Sequence, residues 1–154
     1  METQYNWKTK LFSKRFEIYR HEILAGELRK EGWSRRVRGE LNDKEILFET
    51  KGVFKYTTQI INLQDDSIIG QVKYHKWKAK STIAYDEREY LWQFDNFFRS
   101  KWSLGNENGN LIKFHSRGFK GSIVSYTKDD ILILTGFFIR NFIKQRSAEI
   151  AAAT

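Results

Sequence analysis

The densest concentration of chemically capable side chains is Lys73-Tyr74-His75-Lys76-Trp77-Lys78-Ala79-Lys80. On an extended strand side chains alternate, so Lys76, Lys78 and Lys80 share one face while Trp77 and Ala79 share the other. Successive ammonium groups then stand roughly 6.7 Å apart, inside a Debye length, so that one anionic head group can engage two of them. Three lysines near an anionic membrane contribute only about 3 kcal/mol, short of millimolar affinity. A specific site therefore needs Lys73 and further bases such as Arg36, Arg38, Arg117 or Lys120 to approach the ladder. The competing reading is a solvated strand face that lysines keep from pairing with another sheet.

Nucleophilic and metal chemistry find no matching pattern. His21, His75 and His115 lie far apart in sequence and show no His-Glu-x-x-His spacing, and the chain has no cysteine. Gly105-Asn106-Glu107-Asn108-Gly109 superficially matches a calcium loop. With Gly109 at the glycine position, however, Leu104 would be the first ligand, and leucine cannot coordinate. The acid pairs Asp65-Asp66, Asp86-Glu87 and Asp129-Asp130 sit at turns or at a helix start, where solvated or capping roles suffice. The expectation is a binding module without catalysis, cofactor or metal.

The net charge of +8 and aromatic content of 16% direct that binding toward anionic partners, either a membrane surface or nucleic acid. Aromatic and basic residues interleave in Phe97-Phe98-Arg99 and Lys101-Trp102, as base stacking would require. Against nucleic acid, Trp77 falls on the face opposite the lysines, and no RNP1 sequence, zinc finger or helix-turn-helix is present. A structural or protein-interaction domain is the other alternative. Lys8 and Lys10 interrupt the apolar residues near Met1, so no secretory segment is read there. Absence of cysteine is compatible with a reducing compartment. The expected location is the cytoplasm, peripheral to a membrane.

Those residues must be positioned by strands. Residues 1–13 are polar with isolated aromatics and read as an N-terminal arm. From Lys14 the period becomes two, first around Phe16 and Ile18, then at 27–30 after a turn at Gly26, then in a hairpin of 34–41 and 44–50 about Asn42-Asp43. Strands follow at 54–63, 68–74, 78–85, 89–95, 101–104, 111–115 and 121–126, with turns at Asp65-Asp66, Asp86-Glu87 and Asn108-Gly109. No helical pattern separates them, so the sheet should be antiparallel. Ile60 to Ile83 and Trp102 to Ile123 repeat the order strand, turn, strand, aromatic and basic residues at an offset near forty.

Asp129-Asp130 then precedes Ile131 to Ile139, apolar on every side, and Arg140, Lys144 and Arg146 follow. Acids before and bases after suit the partial charges of a helix over about 129–146, roughly 27 Å long. A helix apolar all round must be surrounded. Spanning a bilayer takes about 20 apolar residues and Arg140 comes too soon, so the surroundings should be protein, not lipid. The chain has no proline to blunt a sheet edge, which favours closure. The fold class expected over 14–154 is mainly β, a closed antiparallel barrel of about 11–12 strands enclosing a hydrophobic C-terminal helix.

The hairpins Ile60 to Tyr74, Trp77 to Tyr85, Tyr90 to Phe98 and Trp102 to Phe114, with Lys120-Gly121-Ser122-Ile123 and Asp130-Ile131-Leu132-Ile133-Leu134-Thr135-Gly136-Phe137-Phe138-Ile139, resemble the superfamily of the Tubby C-terminal domain, the LURP-one-related proteins and the phospholipid scramblases. The resemblance covers most of the chain from about Lys14. It implies a barrel of about a dozen strands around a buried helix, and a phosphoinositide or other anionic phospholipid as ligand.

Overall fold

A helix that is apolar on all sides needs a wall on all sides, and the fold supplies one. The computed structural model describes residues 2–11, 13–31, 35–53, 55–75 and 79–153. The first six strands are β1 (Thr3–Lys8), β2 (Arg15–Arg20), β3 (Ile23–Lys30), β4 (Arg36–Leu41), β5 (Lys44–Lys51) and β6 (Thr57–Asn62). They are followed by β7 (Ile68–His75), β8 (Lys80–Tyr85), β9 (Arg88–Phe94), β10 (Lys101–Asn106), β11 (Gly109–Arg117), β12 (Lys120–Ser125) and the helix α1 (Asp130–Ala153). Each strand pairs antiparallel with its sequence neighbours, and β1 pairs with β12, closing the barrel.

Within the stretch read as an N-terminal arm, Thr3–Lys8 is therefore a strand of the barrel wall. Tyr5 and Trp7 of β1 point inward and are buried, while Gln4, Asn6 and Lys8 point out. Two inward aromatics on a short polar segment give too few alternations to read as a strand, but they suffice once β2 and β12 supply ladders on both sides. The β2–β3 turn is His21-Glu22, both at positive φ as a tight primed turn requires, and Asp86-Glu87 makes the same turn between β8 and β9. Gly26 is not a turn residue. It lies within β3, where a Cβ would sit 2.0 Å from the Glu40 carbonyl oxygen.

Register shifts fall at Ile18/Tyr19, Ile60/Ile61 and Leu104/Gly105, on β2, β6 and β10. They recur every fourth strand, so the bends are spaced by thirds around the ring, where local curvature helps it close. All three fall after the fourth residue of a six-residue strand.

Leu132 to Arg140 are buried without a break, so the first half of α1 runs inside the barrel. Asp129 caps it, its Oδ1 accepting from the backbone N–H of Ile131 at 3.1 Å and of Leu132 at 3.4 Å. Phe137 packs against Trp7 and Phe16, and Phe138 stacks on Phe48 with ring centroids 4.3 Å apart. From the other side Trp92 and Trp102 donate their indole N–H groups to the Gly136 carbonyl at 3.0 and 3.1 Å. At 24 residues the helix measures about 36 Å, and it outruns strands of six to nine residues. It does not stop near 146, because Ser147-Ala148-Glu149-Ile150-Ala151-Ala152-Ala153 is rich in alanine, the best helix former, and holds no glycine or proline to end it. Arg140, Lys144 and Arg146 consequently lie in mid-helix rather than at its C-terminal dipole.

Gly136→Ala tests the fit. A Cβ there would lie 2.6 Å from Cζ of Phe114, so overpacking of about 1–3 kcal/mol should outweigh the gain of about 1 kcal/mol in helix propensity. The urea midpoint is expected to fall, and a rise would show that the helix is not held this closely. Asp130→Asn tests electrostatics at the other end. Burial, opposed by a hydrogen bond from Asn42 and reinforced by the Asp129 charge, raises the Asp130 carboxyl above its ordinary range. The folded state thus binds the proton more tightly than the unfolded chain, and ionisation costs stability at neutral pH. Asparagine keeps an acceptor for Asn42, so the variant should unfold at a higher temperature at pH 7 and lose that advantage as pH falls toward about 4.

Candidate functional site

Antiparallel pairing around a closed ring sorts the connections by parity. Those after odd-numbered strands leave one end of the barrel, and those after even-numbered strands leave the other. Asp129 starts the helix at the even end and its C-terminal half emerges at the odd end. The even-end connections carry Glu22, Asp43, Asp65, Asp66, Asp86 and Glu87, then Glu107 and Asp129, against the single base Lys128. Described residues of the odd-end connections include Lys10, Lys14, Arg35, Lys55 and Arg99 against Glu31 and Asp95. One end is acidic and the helix-exit end is basic.

The helix-exit end also carries the most exposed aromatic rings. Phe97 and Phe98, between β9 and β10, are 92% and 85% exposed. Their loop is held by Asn96, whose Oδ1 accepts from the N–H groups of Ser100 at 3.0 Å and Lys101 at 3.1 Å, while Arg99 takes positive φ. Phe119 in the β11–β12 turn, Leu11 between β1 and β2 and Val53 after β5 are also exposed there. Among the described residues the acidic end exposes Ile23, Ile68 and Tyr126, but no phenylalanine.

The bases singled out from sequence share this end without forming one ladder. β7 stops at His75 and β8 begins at Lys80, its cross-strand partner, in line with separate strands ending at 74 and starting at 78, whereas a lysine ladder through Lys80 needs one extended strand. Lys76 and Lys78 lie outside the described residues. Lys73 and Lys80 are exposed near the rim of β7 and β8. Arg36 and Arg38 sit on β4, where Arg36 pairs with Glu49 at 3.5 Å and Arg38 with Glu31 at 3.5 Å. Arg117 and Lys120 face each other across β11 and β12, and Lys120 also faces Lys8 of β1. The three groups are separated by two or three intervening strands, roughly 14–19 Å along the wall. They make a basic rim with an exposed row of three cations at Lys8, Lys120 and Arg117.

Inside the rim, a cavity of about 650 Å³ opens between the emerging helix and β1 to β4. Its apolar wall includes Trp7, Phe16, Leu28, Val37, Phe138 and Phe142, and its charged lining is Lys10, Lys14, Lys30, Arg140 and Lys144, all cationic. Arg140 is only 7% exposed. Its guanidinium donates to Ser116 Oγ at 2.9 Å and Asn141 Oδ1 at 3.0 Å, and lies 5.0 Å from the ring centroid of Trp102. No described carboxylate comes within 4 Å of it. Burial alone lowers its pKa to about 10, so it is cationic at neutral pH. Burial and the Arg140 charge together lower that of Lys144.

Sequence reasoning looked along strand faces and passed over Lys10, Lys14, Lys30 and Arg140, and it read Phe97 and Phe98 only as rings for base stacking. Turn parity was the available signal, because an antiparallel meander sends alternate turns to opposite ends, and alternate turns here differ in charge. Among the described residues no three His, Asp or Glu side chains gather to hold a metal ion, and no helix is long and apolar enough to cross a membrane. No known family, curated protein or solved structure matches the chain.

Like charges directly opposite on neighbouring strands are destabilising. Lys120→Glu converts both repulsive contacts, to Lys8 and Arg117, into attractive ones. It is expected to stabilise the fold by about 0.5–1 kcal/mol in low salt, with the gain shrinking as salt screens it. Chemical denaturation at two ionic strengths measures this, and a destabilised variant would mean that the row is not strained.

Proposed function

We propose that this chain is a non-catalytic module that docks on anionic phospholipid membranes through the helix-exit end of its barrel. The observation that carries the reading is the pairing, at one end only, of bare phenylalanine rings with a ring of bases. Two exposed neighbouring phenylalanines on a pinned loop have a hydration cost that insertion among acyl chains removes, about 1.5–3 kcal/mol for each ring. Each base near an anionic surface adds about 1 kcal/mol. Phe97, Phe98 and four of the rim cations together reach on the order of 8 kcal/mol, which is micromolar. Lysines on a single strand would remain weaker than millimolar. The acidic opposite end is repelled by the same surface, so the charge distribution also sets orientation.

Kinship with the Tubby, LURP-one-related and scramblase superfamily belongs to the same proposal. Its support is the likeness between the barrel and helix described above and the plan that resemblance implies. Phosphoinositides are then the first head groups to try beyond phosphatidylserine.

Flotation with three vesicle types tests the reading: phosphatidylcholine alone, and the same lipid mixed with phosphatidylserine or with a phosphoinositide. The protein should float with the anionic vesicles and less well as salt rises. Phe97→Ser/Phe98→Ser should weaken recovery by about a hundredfold or more. Lys120→Glu should weaken it while the fold is retained or strengthened, which separates loss of binding from loss of structure. Equal recovery from neutral and anionic vesicles overturns the proposal. So does salt-sensitive binding to single-stranded DNA with no recovery on any vesicle, which would favour the nucleic-acid reading.

A further inference from the structure

Separately from bilayer docking, we infer that the cavity beside α1 is a binding site for one single-chain anionic amphiphile, with the acyl chain against the Trp7, Phe16, Leu28, Phe138 and Phe142 wall and the anionic group at Arg140 and Lys144. Three observations converge on this class. The volume, about 650 Å³, lies within the roughly 300–1,000 Å³ of small-molecule sites. Its wall is largely aromatic and aliphatic, which selects a hydrocarbon. Every charged side chain in the lining is a cation, which selects an anion at one end of that hydrocarbon.

Arg140 narrows the choice further. A buried guanidinium is normally matched by a carboxylate, because removing an ion from water is costly unless an opposite charge and hydrogen bonds replace the water. Here the replacement is neutral, consisting of Ser116 Oγ, Asn141 Oδ1 and the indole faces of Trp7 and Trp102, at 5.8 and 5.0 Å from the guanidinium carbon. A guanidinium has five N–H groups in a planar fork suited to a carboxylate or phosphate, and these two side-chain acceptors do not use them all. An incoming anion would supply the missing counter-charge for Arg140, and for Lys144 one helical turn further on. A neutral amphiphile fits the wall but leaves that charge unmatched, and a cationic one is repelled. The shared chemistry is a terminal carboxylate or phosphate on a single alkyl chain, free or released from a phospholipid.

Isothermal titration of the full chain with decanoate, dodecanoate, tetradecanoate, dodecyl phosphate and dodecan-1-ol, each below its micelle concentration, tests the site without a bilayer. One saturable site is expected, tightening about fourfold for each added methylene, with dodecan-1-ol at least tenfold weaker than dodecanoate. Whether carboxylate or phosphate binds more tightly identifies the head group. Arg140→Gln should weaken dodecanoate at least tenfold and leave dodecan-1-ol unchanged. Lys144→Gln, at an exposed position that threatens folding little, should weaken dodecanoate severalfold and carries the test if Arg140→Gln does not fold. Phe97→Ser/Phe98→Ser should bind dodecanoate normally, so failure of the vesicle experiment and failure of this one are distinguishable. Absence of saturable binding, equal affinity for dodecan-1-ol, or an unaltered dodecanoate affinity in Lys144→Gln overturns the inference.

Discussion

The barrel and the helix depend on one contact, the flush seating of Gly136. A closed wall of strands around a helix leaves no room for adjustment, since the two must be matched in diameter at their nearest approach. At Gly136 the match is close, since Phe114 lies so near that even a methyl group on residue 136 would collide with it. On the same turn, Trp92 and Trp102 bring buried indole N–H groups that would otherwise lack partners, and both donate to the carbonyl of residue 136. The smallest residue and the largest residues thus meet at one point. Protein interiors are close-packed, so small changes in volume at such a point are felt. The stacked pair Trp102 and Phe114, with ring planes 2° apart, extends this contact across two adjacent strands of the wall.

Once the helix is fixed in the axis, its direction has consequences for charge. It enters at the end where the turns are short and acidic, and its capping carboxylate at Asp129 belongs to that end. It leaves at the end with the longer connections, where rings and bases accumulate. A meander of antiparallel strands makes this separation without long-range design, because it needs only that alternate turns differ in composition. The acidic turns are largely two-residue hairpins, where the carboxylates stand in water and residues such as Asn42 and Asp86 tolerate the left-handed backbone that the turn demands. The basic connections are longer and can hold side chains away from the wall. The result is a molecule with two chemically opposite ends.

Arg140 stands apart from this surface logic. It lies on the helix immediately after the all-apolar run, inside the rim, with neutral partners alone. Exposed ion pairs on the outer wall contribute little, whereas a buried guanidinium among further cations in a half-closed cavity exerts a strong field on whatever enters. The aromatic faces beneath it offset part of the cost of its burial, which lets the fold carry it. Fold and site are coupled through α1, whose one carbonyl anchors the barrel four residues before the guanidinium that charges the cavity.

The sequence by itself determined which residues must be hidden and how the chain must reverse. Alternation set the strands from Lys14 onward, paired acids and glycine marked most turns, and a helix apolar on all sides required a surrounding wall. Those are local properties, set by side-chain period and turn chemistry. Only the tertiary structure decided that Thr3–Lys8 closes the ring, since two inward aromatics become a strand only between two partners. It also placed Lys73 and Lys80 on neighbouring strands, because the partnership of His75 with Lys80 is settled by pairing register rather than by composition. The meeting of Arg140, Lys144 and Lys30 in one cavity is likewise tertiary. Residues far apart along the chain acquire a shared field only when closure of the barrel brings their strands and helix to the same end.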